Sequence, residues 1–173
     1  MKLLRPIVSV AVLLTALPVS LRADPDAVRP PEGSVLKLSV LGTGSQVYQC
    51  QSASDQPGHF EWKFQGPEAQ LTDATGKVVG KHYAGPTWQW SDGSTVVGEV
   101  KARYAGPDPS AIPWLLLTAK STTGRGALGN VQSIVRSNTT GGAVPAANCG
   151  AANVNQIVHV PYTANYSFYT GKQ

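Results

Sequence analysis

The sequence predicts an all-β fold, a single-domain antiparallel β-sandwich or barrel of jelly-roll type with about eight strands. The first observation is composition, because 18 Gly and 13 Pro with only one Met disfavour long helices and suit short strands joined by turns. The second is that apolar and polar residues alternate over several short stretches, which is the period of a half-buried strand. The chain is also long enough to bury a core without a metal or many disulfides.

The chain opens with the features of a Sec-type signal peptide over residues 1–23. Lys2 and Arg5 form a basic start, an apolar stretch follows over residues 7–17, and Ala23 is a small residue at a suitable cleavage position. We therefore expect a secreted or periplasmic protein. The apolar stretch is too short to span a bilayer, so we expect no membrane span.

The remaining chain divides into two parts. Residues 24–34 contain three prolines and few apolar residues, which predicts an extended lead-in. Residues 35–173 are expected to form the single β-rich domain. The formal net charge of +4 falls to +1 once Lys2, Arg5 and Arg22 are removed with the signal. A nearly neutral domain argues against a nucleic-acid partner.

Within the domain, alternation and β-branched runs predict strands, of which residues 59–64 alternate most cleanly. There Phe60, Trp62 and Phe64 are expected on the core face, and His59 on the solvent face. Gly42-Thr43-Gly44 is expected to form a turn between the first two strands. The predicted strands are residues 35–41, 47–51, 59–64, 96–104, 112–119, 131–136, 157–162 and 164–169.

Cys50 and Cys149 are the two cysteines of the chain. In an exported protein such a pair is most simply one disulfide, although two free thiols are the alternative. Closing a loop of this length stabilises a fold by about 4–5 kcal/mol in the chain-entropy description. No Cys-x-x-Cys spacing suggests redox chemistry or a zinc site.

Residues 124–129 have the glycine spacing of a dinucleotide-binding loop, but the context differs. That loop requires a following helix and an acidic residue about 20 positions on, whereas β-branched residues follow here and the last acidic residue is Asp108. We interpret the segment as a glycine loop between strands and expect no cofactor.

His59, His82 and His159 are too scattered for a metal motif, and we predict no metal site.

The most unusual segment lies between His82 and Ser94. Trp88 and Trp90 are two residues apart, so in an extended chain their rings lie on the same side. They could form a platform for sugars, with nearby polar partners at His82, Tyr83, Gln89 and Asp92. The alternative is that both indole rings are core residues, as most tryptophans in small β domains are largely buried.

Five segments of the domain form a distinctive combination: residues 82–88, Asp92-Gly93-Ser94, residues 112–117, Gly141-Gly142 followed by Cys149, and residues 162–169. Together they resemble a domain family of unknown function that occurs in small secreted bacterial and fungal proteins. The resemblance covers about residues 35–169 and implies a secreted, single-domain, β-rich protein without an established activity. Some fungal relatives carry a malate dehydrogenase label, which the missing helix and missing acidic residue argue against here.

Three functions are consistent with these features. The first is a non-catalytic binding module for cell-wall or extracellular polysaccharide that uses the Trp88 and Trp90 platform. The second is a small secreted hydrolase or metal-dependent enzyme centred on His82 and Asp92. The third is a structural protein that interacts with the cell envelope.

Overall fold

The computed structural model describes residues 24–171, which form one closed barrel of eight antiparallel strands. The predicted all-β class, single domain and strand number are confirmed. Each strand pairs with the next along the chain, and the last pairs with the first. The strands are β1 (Val35–Ser52), β2 (Phe60–Thr72), β3 (Val78–Tyr83), β4 (Thr87–Trp90), β5 (Thr95–Tyr104), β6 (Trp114–Thr123), β7 (Ser133–Gly141) and β8 (Ile157–Thr170).

The connectivity is up-and-down throughout. Of the two predicted architectures the barrel is therefore the one observed, and its strands follow chain order without the crossing connections of a jelly roll. Alternate loops consequently gather at opposite ends. We call the end formed by residues 53–59, 84–86, 105–113 and 142–156 the upper end, and the end formed by residues 73–77, 91–94 and 124–132 the lower end.

The barrel interior is filled mainly by large apolar and aromatic side chains. Trp88, Tyr166 and Phe168 are fully buried, and the Trp88 ring meets each of the other two edge to face. Leu128 and Val131, from the loop between β6 and β7, are also buried within this core. Residues 124–129 thus belong to a loop between two strands, as predicted, and a core side chain from that loop closes the lower end.

The predicted turn at Gly42-Thr43-Gly44 is wrong, because β1 runs through it without interruption. A Cβ at position 42 would collide with the Tyr166 ring inside the barrel, and one at position 44 would collide with the backbone of the neighbouring β2. Glycine inside a strand marks a close approach as often as a turn. The break predicted between residues 162 and 164 is likewise absent, since β8 is continuous.

Four predicted strands thus form only two, β1 and β8. The total remains eight because the barrel contains two strands, β3 and β4, that were not predicted. β3 and β4 form a hairpin around residues 84–86, in which His82 pairs with Trp88. Both strands are short and interrupted by glycine or flanked by turn residues, so neither shows a long alternating run.

The predicted core face of residues 59–64 is only partly buried. Phe64 is 50% exposed, and Trp62 packs beneath the 142–156 loop, where its Nε1 donates to the Ala147 carbonyl at 2.7 Å. The first half of β2 therefore lies above the barrel core. His59 is exposed, as predicted.

The segment before β1 is packed against the barrel. Residues Pro25–Val28 form a 3-10 helix whose N-terminal residue is capped by Asp24. Val28 is buried, and this helix contacts β5 and β6. The predicted lead-in over residues 24–34 is thus anchored by one apolar side chain. The predicted signal peptide lies outside the described residues.

Cys50 and Cys149 form the predicted disulfide. Their Cα atoms are 5.5 Å apart, and the bond ties the 142–156 loop to β1 at the upper end. Structural disulfides are typical of oxidising compartments. Across residues 24–171, no helix is long and apolar enough to cross a membrane.

Candidate ligand pocket at the upper end of the barrel

A cavity of about 340 Å³ opens at the upper end of the barrel. This volume is at the small end of the range of ligand pockets, about 300–1,000 Å³. Its walls are mostly apolar, and polar side chains enter at a few points. The apolar residues on which the argument below depends are Tyr48, Phe64, Val100, Ile112 and Leu115, and the polar ones are Gln46, His82, Arg103 and Arg136.

Four neighbouring strands place a row of side chains at one level of this cavity. Tyr166 of β8 pairs with Arg136 of β7, Arg136 pairs with Leu115 of β6, and Leu115 pairs with Arg103 of β5. Directly paired residues project to the same face of a sheet. The register therefore brings two arginines to the interior side of the barrel, separated by one leucine.

Arg136 is held by the backbone of the upper end. Its Nε and Nη2 donate to the Pro113 carbonyl at 3.0 and 2.7 Å. Burial lowers the pKa of Arg136, while the neighbouring Tyr166 and Tyr162 oppose that shift. Arginine nevertheless keeps its charge in proteins, so the cavity wall contains a partly buried cation.

His82 lies beside this cation at the cavity wall. Its ring stacks on the Trp88 indole at 4.3 Å and meets Tyr166 edge to face at 5.0 Å. Its Nδ1 lies 2.9 Å from the Thr87 carbonyl, which can only accept, so Nδ1 carries the proton. Burial above all, and the Arg136 charge in addition, lower the pKa of His82 to about 3 against the opposing effect of the Thr87 bond. The imidazole is therefore neutral at physiological pH.

Because His82 is neutral in the folded protein, we predict that the free energy of unfolding decreases in weak acid. Between the pKa of about 6.5 in the unfolded chain and the pKa of about 3 in the fold, only the unfolded state takes up the proton. The free energy of unfolding should then fall by about 1.4 kcal/mol per pH unit as the pH drops below about 6.5. Urea denaturation between pH 7 and 5 measures this slope.

A His82→Phe variant keeps an aromatic ring on Trp88 and should lose most of that slope. His59→Gln, which changes an exposed histidine, is the matched control and should keep it. Equal slopes in the wild type and in His82→Phe would contradict the buried, neutral state of His82.

The predicted tryptophan platform is not formed at the surface. Trp88 is 1% exposed, and the partly buried Trp90 packs against the same core. Alternation along β4 directs residues 88 and 90 to the same side, but Trp90, the last residue of the strand, remains partly exposed. The structure thus shows the core alternative for Trp88, and Trp90 is left without a second ring to form a platform.

The predicted centre formed by His82 and Asp92 is also not assembled. Asp92 lies in the lower-end loop after β4, whereas His82 sits next to the upper-end turn. One Asp92 oxygen accepts from the Ser94 amide at 2.8 Å and from its hydroxyl at 2.6 Å, and the other accepts from the Ala127 amide at 2.7 Å. These bonds lower the pKa of Asp92 and join two lower-end loops, which is a structural role.

The other predicted site residues lie on or near the outer surface. Tyr83 is exposed, with the Lys81 ammonium 5.5 Å from its ring centre. Gln89 and Trp90 border an open depression together with Lys81. Of the predicted set, His82 alone lines the upper cavity. In the part of the chain that the structure describes, no three His, Cys, Asp or Glu side chains are grouped as metal ligands would be.

Sequence reasoning missed both pocket arginines. Arg136 is two residues from the fully buried Ile134 on the same strand, so the period-2 rule could have placed it inside. Regular alternation along residues 96–104 would direct Arg103 to the face opposite Val100. A register irregularity between Val100 and Ala102 changes the alternation, and Arg103 reaches the cavity beside Val100.

Comparison with known proteins identifies a family but adds no activity. No curated protein and no solved structure matches the chain. The sequence does match the family described as "Protein of unknown function (DUF3455)" over residues 30–170. That range contains all eight strands, both cysteines and every residue that lines the upper cavity. The chain therefore belongs to the DUF3455 family.

Proposed function

We propose that this protein is a non-catalytic, extracytoplasmic binding protein that holds one small ligand in the upper cavity of its barrel. The observation that carries this proposal is the cavity itself, which combines apolar walls with a few converging polar groups. That combination is typical of ligand sites in the mouths of β-barrels. The disulfide and the predicted signal peptide support a secreted or periplasmic location.

The rigidity of the cavity wall also favours binding. His82 is fixed by its stack on Trp88 and by the Thr87 carbonyl, and Arg136 is fixed by the Pro113 carbonyl. Tyr48 donates to the Gly142 carbonyl at 2.8 Å, and so links β1 to the start of the disulfide-bonded loop. Groups held in place before the ligand arrives lose little entropy on binding.

The test is a calorimetric titration of the purified, disulfide-bonded protein with small amphipathic molecules. The panel comprises 3-phenylpropanol, 3-phenylpropylamine, 3-phenylpropanamide and 3-phenylpropanoate. We expect at least one to bind at a single site, and we expect Val100→Trp, which fills the cavity, to weaken binding at least tenfold, or about 1.4 kcal/mol. Val97→Trp, on the outer face of the same strand, is the matched control and should bind as the wild type does.

Two outcomes would count against the proposal. One is an absence of binding by every member of the panel. The other is binding that Val97→Trp weakens as much as Val100→Trp does, which would place the ligand outside the cavity.

A polysaccharide site on the outer surface is the second candidate function. It is favoured by the open depression that Gln89 and Trp90 border with Lys81, since a partly exposed indole and neighbouring polar groups suit a sugar ring. Depletion of the protein by insoluble cell-wall polysaccharides, abolished in Trp90→Ala, would support it. Failure of both the depletion assay and the small-ligand panel would favour a structural protein of the cell envelope.

A further inference from the structure

The upper cavity contains positive charge that no acidic side chain balances. Among residues 24–171, neither Arg136 nor Arg103 makes an ion pair, and no Asp or Glu lines the cavity. A buried cation without an anion is costly unless another negative group compensates it. The nearest compensation within the fold is the Pro113 carbonyl and the two tyrosines, all of which are uncharged.

Arg136 retains donors for a ligand. A guanidinium has five N–H groups, and the Pro113 carbonyl occupies Nε and one position on Nη2. The Tyr166 hydroxyl is a further hydrogen-bond partner of this guanidinium. The donors that remain on Nη1 and Nη2 can bind a carboxylate. Arg103 stands two strands away at the same level and is close enough for its charge to act on Arg136.

A third polar group points to the same missing partner. Gln46 is 2% exposed and lines the cavity, and its Nε2 makes no hydrogen bond of ordinary geometry within the described residues. Its side chain lies near enough to the Tyr162 hydroxyl to counter part of the rise in the pKa of that group. Buried donors in native proteins nearly always have partners, so an unpaired one indicates an absent ligand or solvent molecule. Gln46 lies in β1, which is separated from the β7 strand of Arg136 by β8 alone.

The remaining wall is apolar. Phe64, Val100 and Ile112 face the same space, and such a surface favours a hydrocarbon or aromatic body over a second charge. A phosphate, which carries more charge than a carboxylate at neutral pH, would be poorly matched to these walls.

We infer that the natural ligand is a small organic monoanion whose carboxylate binds Arg136 and Arg103 and whose apolar body fills the space beside Phe64, Val100 and Ile112. This inference rests on the proposed function and specifies the chemistry of its ligand. Electrostatic complementarity then determines specificity, since the neutral relatives of the same molecule leave the arginines unpaired.

The experiment compares the binding of 3-phenylpropanoate with that of the isosteric 3-phenylpropanamide and of phenyl phosphate at pH 7. We expect the carboxylate to bind about tenfold or more tightly than the amide, because charge-assisted bidentate bonds are the strong ones. Arg136→Met should remove that preference and leave the amide affinity nearly unchanged. Arg103→Gln, at an exposed position, should reduce the preference without a risk to the fold.

Each alternative result has a distinct meaning. Equal affinity for the carboxylate and the amide would overturn the anion inference and leave the proposed binding function standing. Tighter binding of phenyl phosphate would overturn the choice of a monoanion. A preference for the carboxylate that persists in both arginine variants would overturn the roles of Arg136 and Arg103.

Discussion

Replacing Trp88 with alanine is expected to lower the free energy of unfolding by about 3–5 kcal/mol, the usual cost of removing a buried tryptophan from a core. Trp88 is fully buried and contacts His82, Tyr166 and Phe168 through its ring faces and edges. Alanine would leave a cavity at the centre of the barrel, and the strands around it are fixed by closure and could collapse only partly.

The measurement is equilibrium denaturation by urea, followed by far-ultraviolet circular dichroism so that the transition does not depend on tryptophan fluorescence. Tyr83→Ala is the matched control on the neighbouring strand, because Tyr83 is exposed, and it should change stability by less than about 0.5 kcal/mol. A Trp88→Ala protein as stable as the wild type would contradict the core position of this ring and would restore the surface platform as an explanation for it.

Removing the disulfide is expected to have an effect of similar size. The bond between Cys50 and Cys149 closes a loop across 99 positions of the chain, and loss of such a bond typically costs about 2–5 kcal/mol. The 142–156 loop would lose its covalent attachment to β1 and would retain weaker contacts such as the bond from Trp62 to Ala147.

A double variant, Cys50→Ala with Cys149→Ala, tests this expectation by denaturation with and without dithiothreitol. The reductant should shift the midpoint of the wild type down toward that of the variant and should leave the variant unchanged. A wild-type midpoint that does not respond to complete reduction would show that the loop is held by packing alone.

The fold class could be predicted from the composition and from the alternation of apolar and polar residues, because turn and strand formation depend largely on local chemistry. Turn-forming residues and alternation predicted eight antiparallel strands, and the two cysteines predicted their own pairing. The strand boundaries were harder to predict. Gly42, for example, is needed for close packing against Tyr166, which lies far away in the chain. When the partner strand is unknown, a glycine in the sequence is consistent with a turn as well as with a close contact inside a strand.

The site was less predictable for the same reason. His82 was correctly singled out as unusual, but its partners are Thr87, Trp88 and the distant Arg136. Asp92 was associated with it by proximity in sequence, and the hairpin then directed the two residues to opposite ends of the barrel. Arg103 lines the cavity from a solvent-exposed position. Its place there depends on a β-sheet irregularity, which alternation alone does not reveal.

The central claim is that a ligand enters the upper cavity and pairs with its arginines. Nuclear magnetic resonance of the ¹⁵N-labelled protein during a titration with 3-phenylpropanoate tests this most directly, through the side-chain Nε–H signals of Arg136 and Arg103 and the backbone amides around the cavity. We predict saturable shifts of both arginine signals and of the Gly85 and Gly142 amides at the upper end. Shifts confined to Lys81, Gln89 and Trp90, or no saturable shift at all, would contradict the account.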